Sequence, residues 1–444
     1  MFNTIKNAWR TPEVRKRILY TLLLIVIFRF GCFITVPGVD TFALREQMNS
    51  ATGSLTGLIN TISGGAFSNL SIFAMTITPY ITSSIVVQLL GMIIPSLEKM
   101  MKEGGEQGRQ KVNKLTKAIT LILATIEGLG IYISYSRGTS SIFINPGWLT
   151  GAIVVLSLIT GTSILMWLGD QITNKGIGNG ISLLIFAGIV SRLPRVITTL
   201  WNLIVVSGKV STVGIVTSLA IIIGAILLVA GVVFVQESER RVPVQYAKKV
   251  VGRKMYGGQS THIPLKPAMA GVMPVIFASS FMTFPAMMIQ IFASDKVGGS
   301  GFLAGLYKFS IATSTSQGIG WGYSLANAIV YFLLIVGFTF FYTFATFDTN
   351  EVATNIKQNG GFVPGIRAGK PTADYLRNIL IKITWFGAAF LSLIAILPML
   401  MRFSNIDVSF GGTSILIVVG VALETVQQLE SQLVMRHYKG FLEK

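Results

Sequence analysis

The chain has 444 residues, 51% of them hydrophobic and only 12% charged, with a mean hydropathy of +0.66. A soluble chain carries roughly a quarter charged residues, so this one cannot cover its surface with charge and a water-soluble globular protein is excluded. The remaining charge is lopsided, 36 Lys and Arg against 18 Asp and Glu for a net +18, which in a membrane chain points to cytoplasmic loops facing an acidic or polyanionic partner.

A membrane-crossing helix needs about 20 mostly apolar residues. Ahead of the first such run, Phe2, Ile5 and Trp9 lie at helical spacing among Lys6 and Arg10 until Pro12 interrupts. That pattern predicts an amphipathic helix on the membrane surface, within a cytoplasmic segment 1–17. Five spans are then predicted over 18–36, 72–95, 118–136, 148–168 and 181–200. Five more follow over 213–235, 268–292, 323–347, 379–401 and 410–426. The fifth is the weakest, because Arg192 and Arg195 stand in its last third. The first is not a cleavable signal, since its long apolar run carries no small-residue cleavage pattern.

With the N-terminus inside, the inner segments collect Arg15, Lys16, Arg17, Lys111, Lys114, Arg240, Arg241 and most other basic residues, while Arg45, Arg137 and Lys209 fall outside. Both termini are therefore expected in the cytoplasm. An odd number of spans per half makes a repeated second half enter from the opposite side, which is the arithmetic of an inverted repeat. The expected fold is all-α: a polytopic membrane protein of ten transmembrane helices in two inverted five-helix halves, 18–203 and 204–428, with a tail over 429–444.

Enzymatic chemistry has little to work with. Cys32 is the single cysteine, so no intrachain disulfide, thiolate metal site or CxxC pair can form. His262 and His437 are far apart, and neither HExxH nor a His-centred triad can be built. No catalytic residue, cofactor or metal is expected. Gly176-Ile177-Gly178-Asn179-Gly180 resembles part of a dinucleotide fingerprint but joins two spans rather than a strand and a helix. Pro364–Pro371 approaches a P-loop, yet proline stands at both the leading glycine and the final Ser/Thr positions.

Several stretches break the pattern of plain spans. Residues 57–67 are apolar, too short to cross, and interrupted by Gly64-Gly65, so they form a surface loop or a re-entrant half-helix. Pro79 breaks a backbone bond inside the second span, and the neighbouring Thr and Ser residues can re-satisfy it. Ile77 and Ile81 share one helix face, and Ile181 and Ile185 repeat the spacing; such pairs are ordinarily packing or lipid-facing residues. Glu127 sits mid-span, where a carboxylate is costly and serves either a function with a polar partner or a local hydrogen bond. Arg29 and Lys382, also in spans, are expected to snorkel or pair structurally. Loops 237–267 and 348–378 are long as well as basic, which favours docking of a large partner over a merely solvated face.

Taken in order, these segments resemble the SecY family of protein-conducting channels over nearly the whole chain. The resemblance is carried by Phe28-Arg29-Phe30-Gly31 with Val36-Pro37-Gly38, Ser63-Gly64-Gly65, Ser71-Ile72-Phe73-Ala74 and Thr78-Pro79-Tyr80-Ile81. It continues through GIGNGISLLIF at 176–186, QSTHIPLK at 259–266, GFVPGIR at 361–367 and Gly411-Gly412-Thr413-Ser414. It implies a pore ring of Ile77, Ile81, Ile181, Ile185, Ile276 and Ile417, an apolar constriction that dewets and holds no ion. It also implies a plug half-helix with Leu58, Ile59, Ile62, Gly64, Gly65 and Phe67, inside a plug segment 57–70. A lateral gate for signal helices would use Thr82 and Glu127. Lys248, Lys249, Arg253, Lys254 and Arg367 would dock the ribosome or the SecA ATPase, and small SecE and SecG subunits would flank the channel. Signal peptides, unfolded preproteins and membrane lipids complete the implied partners; sequence-specific nucleic-acid binding is not among them. The chain departs from the family pattern at Ala368, where proline is usual, and at Glu127, where many bacterial members are neutral.

Two other functions compete. A secondary transporter would show a midplane site of charged or unwound-backbone ligands, where this chain offers isoleucines. An intramembrane protease would need paired aspartates or Ser-His within spans, and the in-span acids are Glu127 and Glu424.

Overall fold

The computed structural model describes residues 6, 8–44, 64–102, 104–136, 142–206, 209–210, 212–246, 249–251, 254–256, 260–292, 299, 301–312, 321–403 and 412–442. The helices are α1 (Pro12–Gly31), α2 (Thr78–Ile93), α3 (Pro95–Lys102), α4 (Gly105–Ser136), α5 (Trp148–Lys175), α6 (Gly180–Val190) and α7 (Leu193–Ile204). They continue as α8 (Thr212–Glu237), α9 (Met273–Phe292), α10 (Phe302–Ile311), α11 (Trp321–Thr346), α12 (Thr349–Gln358), α13 (Lys370–Phe403) and α14 (Gly412–Leu442). Short strands lie in the connections: β1 (Val205–Val206), β2 (Lys209–Val210), β3 (Arg240–Tyr246), β4 (Lys249–Val251), β5 (Lys254–Tyr256), β6 (Ser260–Leu265) and β7 (Gly361–Phe362).

Every predicted span has a helical counterpart, and the chain is a multi-pass membrane protein. Six stretches, built on α4, α5, α8, α11, α13 and α14, are each long and apolar enough to cross a membrane alone. A seventh arises if α2 and α3, bent by 110° at Ile94, count as one broken span. Of the remaining spans, α6 and α9 have shorter apolar stretches, 180–190 and 273–289, whereas α1 runs for 20 residues but carries Arg15, Lys16, Arg17 and Arg29.

The second span differs from expectation. Residues 72–77 are turns and the helix begins at Thr78, so Pro79 stands in the first turn. Its missing N–H costs nothing there, and no internal bond is broken. The fifth span is not continuous: it stops at Val190, turns through Ser191-Arg192 and restarts as α7 with Pro194 in its first turn. The amphipathic N-terminal segment lies mostly outside the described residues, although Ala8 is buried with Val14, Ile177 and Leu429.

Lipid tails are as apolar as leucine, so these helices associate by close packing and by shielding polar groups. Hydroxyls are turned back on their own helices, as where Thr339 and Thr343 donate to the carbonyls of Ile335 and Thr339 at 2.6 and 2.7 Å. Glycines permit close approach. A Cβ on Gly180 would sit 1.9 Å from the Gly169 carbonyl oxygen, so only glycine lets the start of α6 fold against α5. Between these helices Gly178 takes φ +86, and the Asn179 side chain caps α6 by accepting from the N–H groups of Ile181 and Ser182. The glycine run is thus a tight turn joining α5 to α6.

Among the described residues, the two largest apolar clusters sit one among the early spans and one among the later spans. The first joins Leu24, Phe28, Phe73, Leu165, Leu168, Ile172 and Leu184 from the early spans to Val421 of α14. The second joins Val232, Val275, Met282, Tyr331, Ile335, Leu391 and Ile394 from the later spans to Ile415, Leu416, Val419 and Leu423 of the same helix. Helical spacing puts those two sets of α14 residues on different faces, so one helix serves both cores. The degree of enclosure agrees: half of its apolar window is buried, against 17% for α8.

The basic loops also hold a structure that the sequence did not announce. β3 pairs antiparallel with β6 along its length and with β7 through Gln245↔Phe362 and Tyr246↔Gly361, so the two loops share one sheet. Val242 and Val244 point from β3 into a small core with Leu265, Ile356, Val363, Leu376 and Leu380. The platform therefore rests on α12 and α13 rather than floating in solvent.

Candidate functional site

The sequence motifs meet in space. Phe28 of α1 stacks on Phe73 at 6.0 Å, Thr35 bridges Ser71, and the Ile72 N–H donates to the Ile34 carbonyl at 2.9 Å. Through these contacts the irregular stretch before α2 is tied to the end of α1. Thr76 takes φ +52, a strained value for a β-branched residue, and donates to the Met75 carbonyl at 2.7 Å. This bend delivers Ile77, the N-cap of α2, into the interior, and the Ile81 N–H bonds back to the Ile77 carbonyl.

Five of the six isoleucines assigned to the ring lie in one cluster. Ile77 and Ile185 are buried in the first cluster, and Ile81, Ile181 and Ile417 pack against it partly exposed. Ile276 of α9 packs instead on the second cluster, beside Val275 and Val419. The six therefore gather around α14 from both sides, though not as a single contact group. An apolar group of this kind offers an ion no ligand.

Of the residues expected in a plug, Leu58, Ile59 and Ile62 lie outside the described residues. Gly64 and Gly65 take φ +62 and +92, and Phe67 opens a 3-10 turn, buried with its ring 6.5 Å from that of Tyr135. Gly64 sits where a Cβ would meet the Gly188 carbonyl oxygen of α6 at 2.5 Å. Its own carbonyl accepts from Arg29 Nη1 at 2.9 Å, and that guanidinium lies 5.3 Å from the Phe33 ring centroid. Arg29 thus pairs structurally, with the Gly64 backbone as its partner.

At the gate positions, Thr82 donates its hydroxyl to the Thr78 carbonyl at 3.1 Å, and Glu127 is buried within α4. Nearby, Tyr342 of α11 donates to Gln88 Oε1 of α2, and Gln88 Nε2 donates to Ser84 at 3.0 Å. Sequence reasoning passed over Gln88, although a lone amide in an apolar span is a visible signal. Among the docking residues, Lys248 and Arg253 lie outside the described residues. Lys249 begins β4 and Lys254 begins β5, an antiparallel pair, while Arg367 is exposed in the turn after β7. The Arg367 carbonyl accepts from the Thr372 hydroxyl at 2.8 Å, which fixes the turn against α13.

A family profile described as SecY matches residues 71–426. The chain is 43% identical over 456 residues to a protein of Streptomyces scabiei named "Protein translocase subunit SecY", with both chains fully covered. A protein of the same name from Thermus thermophilus is 40% identical over 451 residues, covering all of this chain and 98% of its own. The chain belongs to the SecY family.

Solved structures extend the likeness of SecY architecture to distant chains. One described as "The structure of a protein conducting channel" superposes with a TM-score of 0.66 at 21% identity, covering 94% of this chain and 91% of the other. Another, "Sec61 in the Canine ribosome-channel complex from the endoplasmic reticulum", reaches 0.63 at 19% identity with the same coverage. At such identities the shared property is the fold.

Proposed function

We propose that this chain is the pore-forming subunit of a protein translocase, a passive channel in a bacterial plasma membrane with both termini in the cytoplasm. Unfolded secretory polypeptides pass the isoleucine constriction, and apolar segments leave sideways into lipid through a gate near Thr82 and Glu127. The observation that carries this reading is the convergence of five ring isoleucines in one cluster against the helix that both cores share. Its relatives are named as translocase subunits, which supports the same reading. The two halves, 18–203 and 204–428, would part around α14, with residues 57–70 as plug and the SecE and SecG subunits flanking them.

Driving force comes from a partner, SecA or the ribosome, docked on the platform built from loops 237–267 and 348–378. Exposed Arg367 contributes charge to that surface, Lys248, Lys249, Arg253 and Lys254 are expected to add to it, and a charged surface steers a large acidic partner. Signal peptides, unfolded preproteins and lipid are the remaining partners, with no cofactor and no sequence-specific nucleic-acid contact.

A photoreactive residue at Ile81, with a secretory chain stalled during export, tests the channel directly. A crosslink to the stalled polypeptide that disappears without motor or ribosome is expected. A properly inserted protein giving no such crosslink would overturn the reading. Separately, Arg367→Glu should reduce motor-driven export by about tenfold or more by reversing the charge at the docking face. The protein should still reach the membrane in normal amount, because the side chain is exposed; unimpaired export would remove Arg367 from the docking surface.

A further inference from the structure

The turn between α5 and α6 lies between α1 and α14. Ile177 is buried with Val14 of α1 and Leu429 of α14, and a Cβ on Gly178 would stand 3.3 Å from the Thr425 hydroxyl oxygen of α14. From α1, the Thr21 hydroxyl donates to the Arg17 carbonyl at 2.9 Å and accepts from the Ile177 N–H at 3.1 Å. The first bond orients the hydroxyl and leaves a lone pair for the second. Thr21 is buried and close to the turn, for a Cβ on Gly176 would come within 2.4 Å of its oxygen. Further N–H groups at the start of α6 are served from within the connection. Thr173 accepts from Gly180 at 2.9 Å, and the Asn179 side chain accepts from Ile181 and Ser182 at 3.1 and 3.4 Å. Thr21 instead reaches the turn from a span 156 positions earlier in the chain.

We propose that Thr21 is a positioning residue for the constriction: its hydroxyl fixes where α6 begins, and so where Ile181 and Ile185 stand. The inference deepens the channel reading above and rests on it. Ile181 is the second residue of α6 and Ile185 follows about one turn later, so both side chains move with the helix start. Ile185 is buried in the first cluster, and Ile181 packs against it together with Ile417 of α14. A buried N–H deprived of its acceptor costs more than the bond itself contributes, because packed apolar groups offer no replacement. Without the hydroxyl, the turn relieves that cost by moving Ile177 toward another acceptor, and α6 moves with it. Thr21 acts through the Ile177 N–H and not on a passing chain, which is what distinguishes positioning from lining.

The test measures the resting ion conductance of the whole channel in vesicles. Thr21→Val exchanges the hydroxyl for a methyl of similar size and should raise conductance by about threefold or more. Thr21→Ser keeps the hydroxyl and should stay at the unaltered level. Thr160→Val is the control, since that hydroxyl is exposed and bonds back to the Leu156 carbonyl of its own helix. Amount of protein and resistance to protease are read in parallel, because a merely structural loss lowers both without a selective leak. Should the valine variant fail to accumulate, Thr21→Ala removes the same hydroxyl with less bulk and carries the same expectation. A second reading uses a channel carrying both Ile181→Ala and Ile185→Ala, which should itself leak. Thr21→Val should add nothing there, since the side chains it would misplace are gone. Equal leaks from the serine and valine variants, a leak that adds to that of the alanine pair, or no leak from Thr21→Val while the alanine pair leaks would overturn the positioning role and leave the constriction standing. Failure of the alanine pair to leak, or loss of the Ile81 crosslink in the unaltered protein, would instead remove the channel reading on which it depends.

Discussion

Valine in place of Gly161 is expected to prevent the protein from accumulating in the membrane. Gly161 lies on α5 where a Cβ would sit 1.9 Å from the carbonyl oxygen of Ile72 and 2.8 Å from its Cγ2. Real Cβ atoms never come so near, so either α5 or the turn at Ile72 must move. Ile72 is not free to do so, since its N–H is bonded to Ile34 and its neighbour Ser71 bridges Thr35. Overpacking a close contact costs about 1–3 kcal/mol even where side chains can yield, and here the obstacle is backbone. Gly224→Val is the matched control, because nothing lies within 4 Å of a Cβ there. Steady-state amount and resistance to protease in detergent decide the matter: Gly161→Val should fall far below the control. Equal amounts and equal resistance would mean that the approach of α5 to residue 72 is dispensable.

The second large effect concerns the seal. Joint replacement of Ile81 and Ile185 by glycine should raise ion conductance of reconstituted vesicles by about an order of magnitude, since dewetting requires a narrow apolar lining. Ile185 is buried in the first cluster and Ile81 lies against it, so both substitutions widen the same point. Glycine within a helix costs roughly 1 kcal/mol in propensity, so a leak could arise from general loosening. Glycine substitution of Ile222 and Ile226, both exposed on α8, carries that cost without touching the cluster. A leak confined to the Ile81/Ile185 pair marks a constriction, whereas equal leaks in both double variants, or none, would remove these residues from the seal.

The spans were legible because apolar length is a local property that any window of chain displays. Even there, the signals for interruption were present: Pro95 follows the bend at Ile94, and Pro194 opens the helix after Ser191-Arg192. Pro79 misled in the other direction, since a proline in the first turn looks, in sequence, like one inside a helix. The sheet was hidden for a different reason. β3 alternates burial at Val242 and Val244, a readable pattern, but its pairing with Phe362 joins residues more than a hundred positions apart and no periodicity carries that information. The same holds at the candidate site. Ile77, Ile81, Ile181 and Ile185 are spaced like any packing pair, and only the fold brings them beside Ile417. Neither the bond from Arg29 to Gly64 nor the one from Tyr342 to Gln88 can be anticipated from the residues next to either partner.

The sharing of α14 between two cores also bears on how the protein is made. Chains emerge from synthesis in order, and α14 appears after every other described membrane-crossing helix. Until Ile415–Leu423 has inserted, the early bundle lacks Ile417 and Val421 and the later bundle lacks Leu416 and Val419. Neither bundle can complete its packing alone, however long it waits in the bilayer. A nascent chain truncated before residue 412 is therefore left with two open apolar grooves rather than one finished half and one missing half. Packing of both bundles is completed together, by the one helix they share.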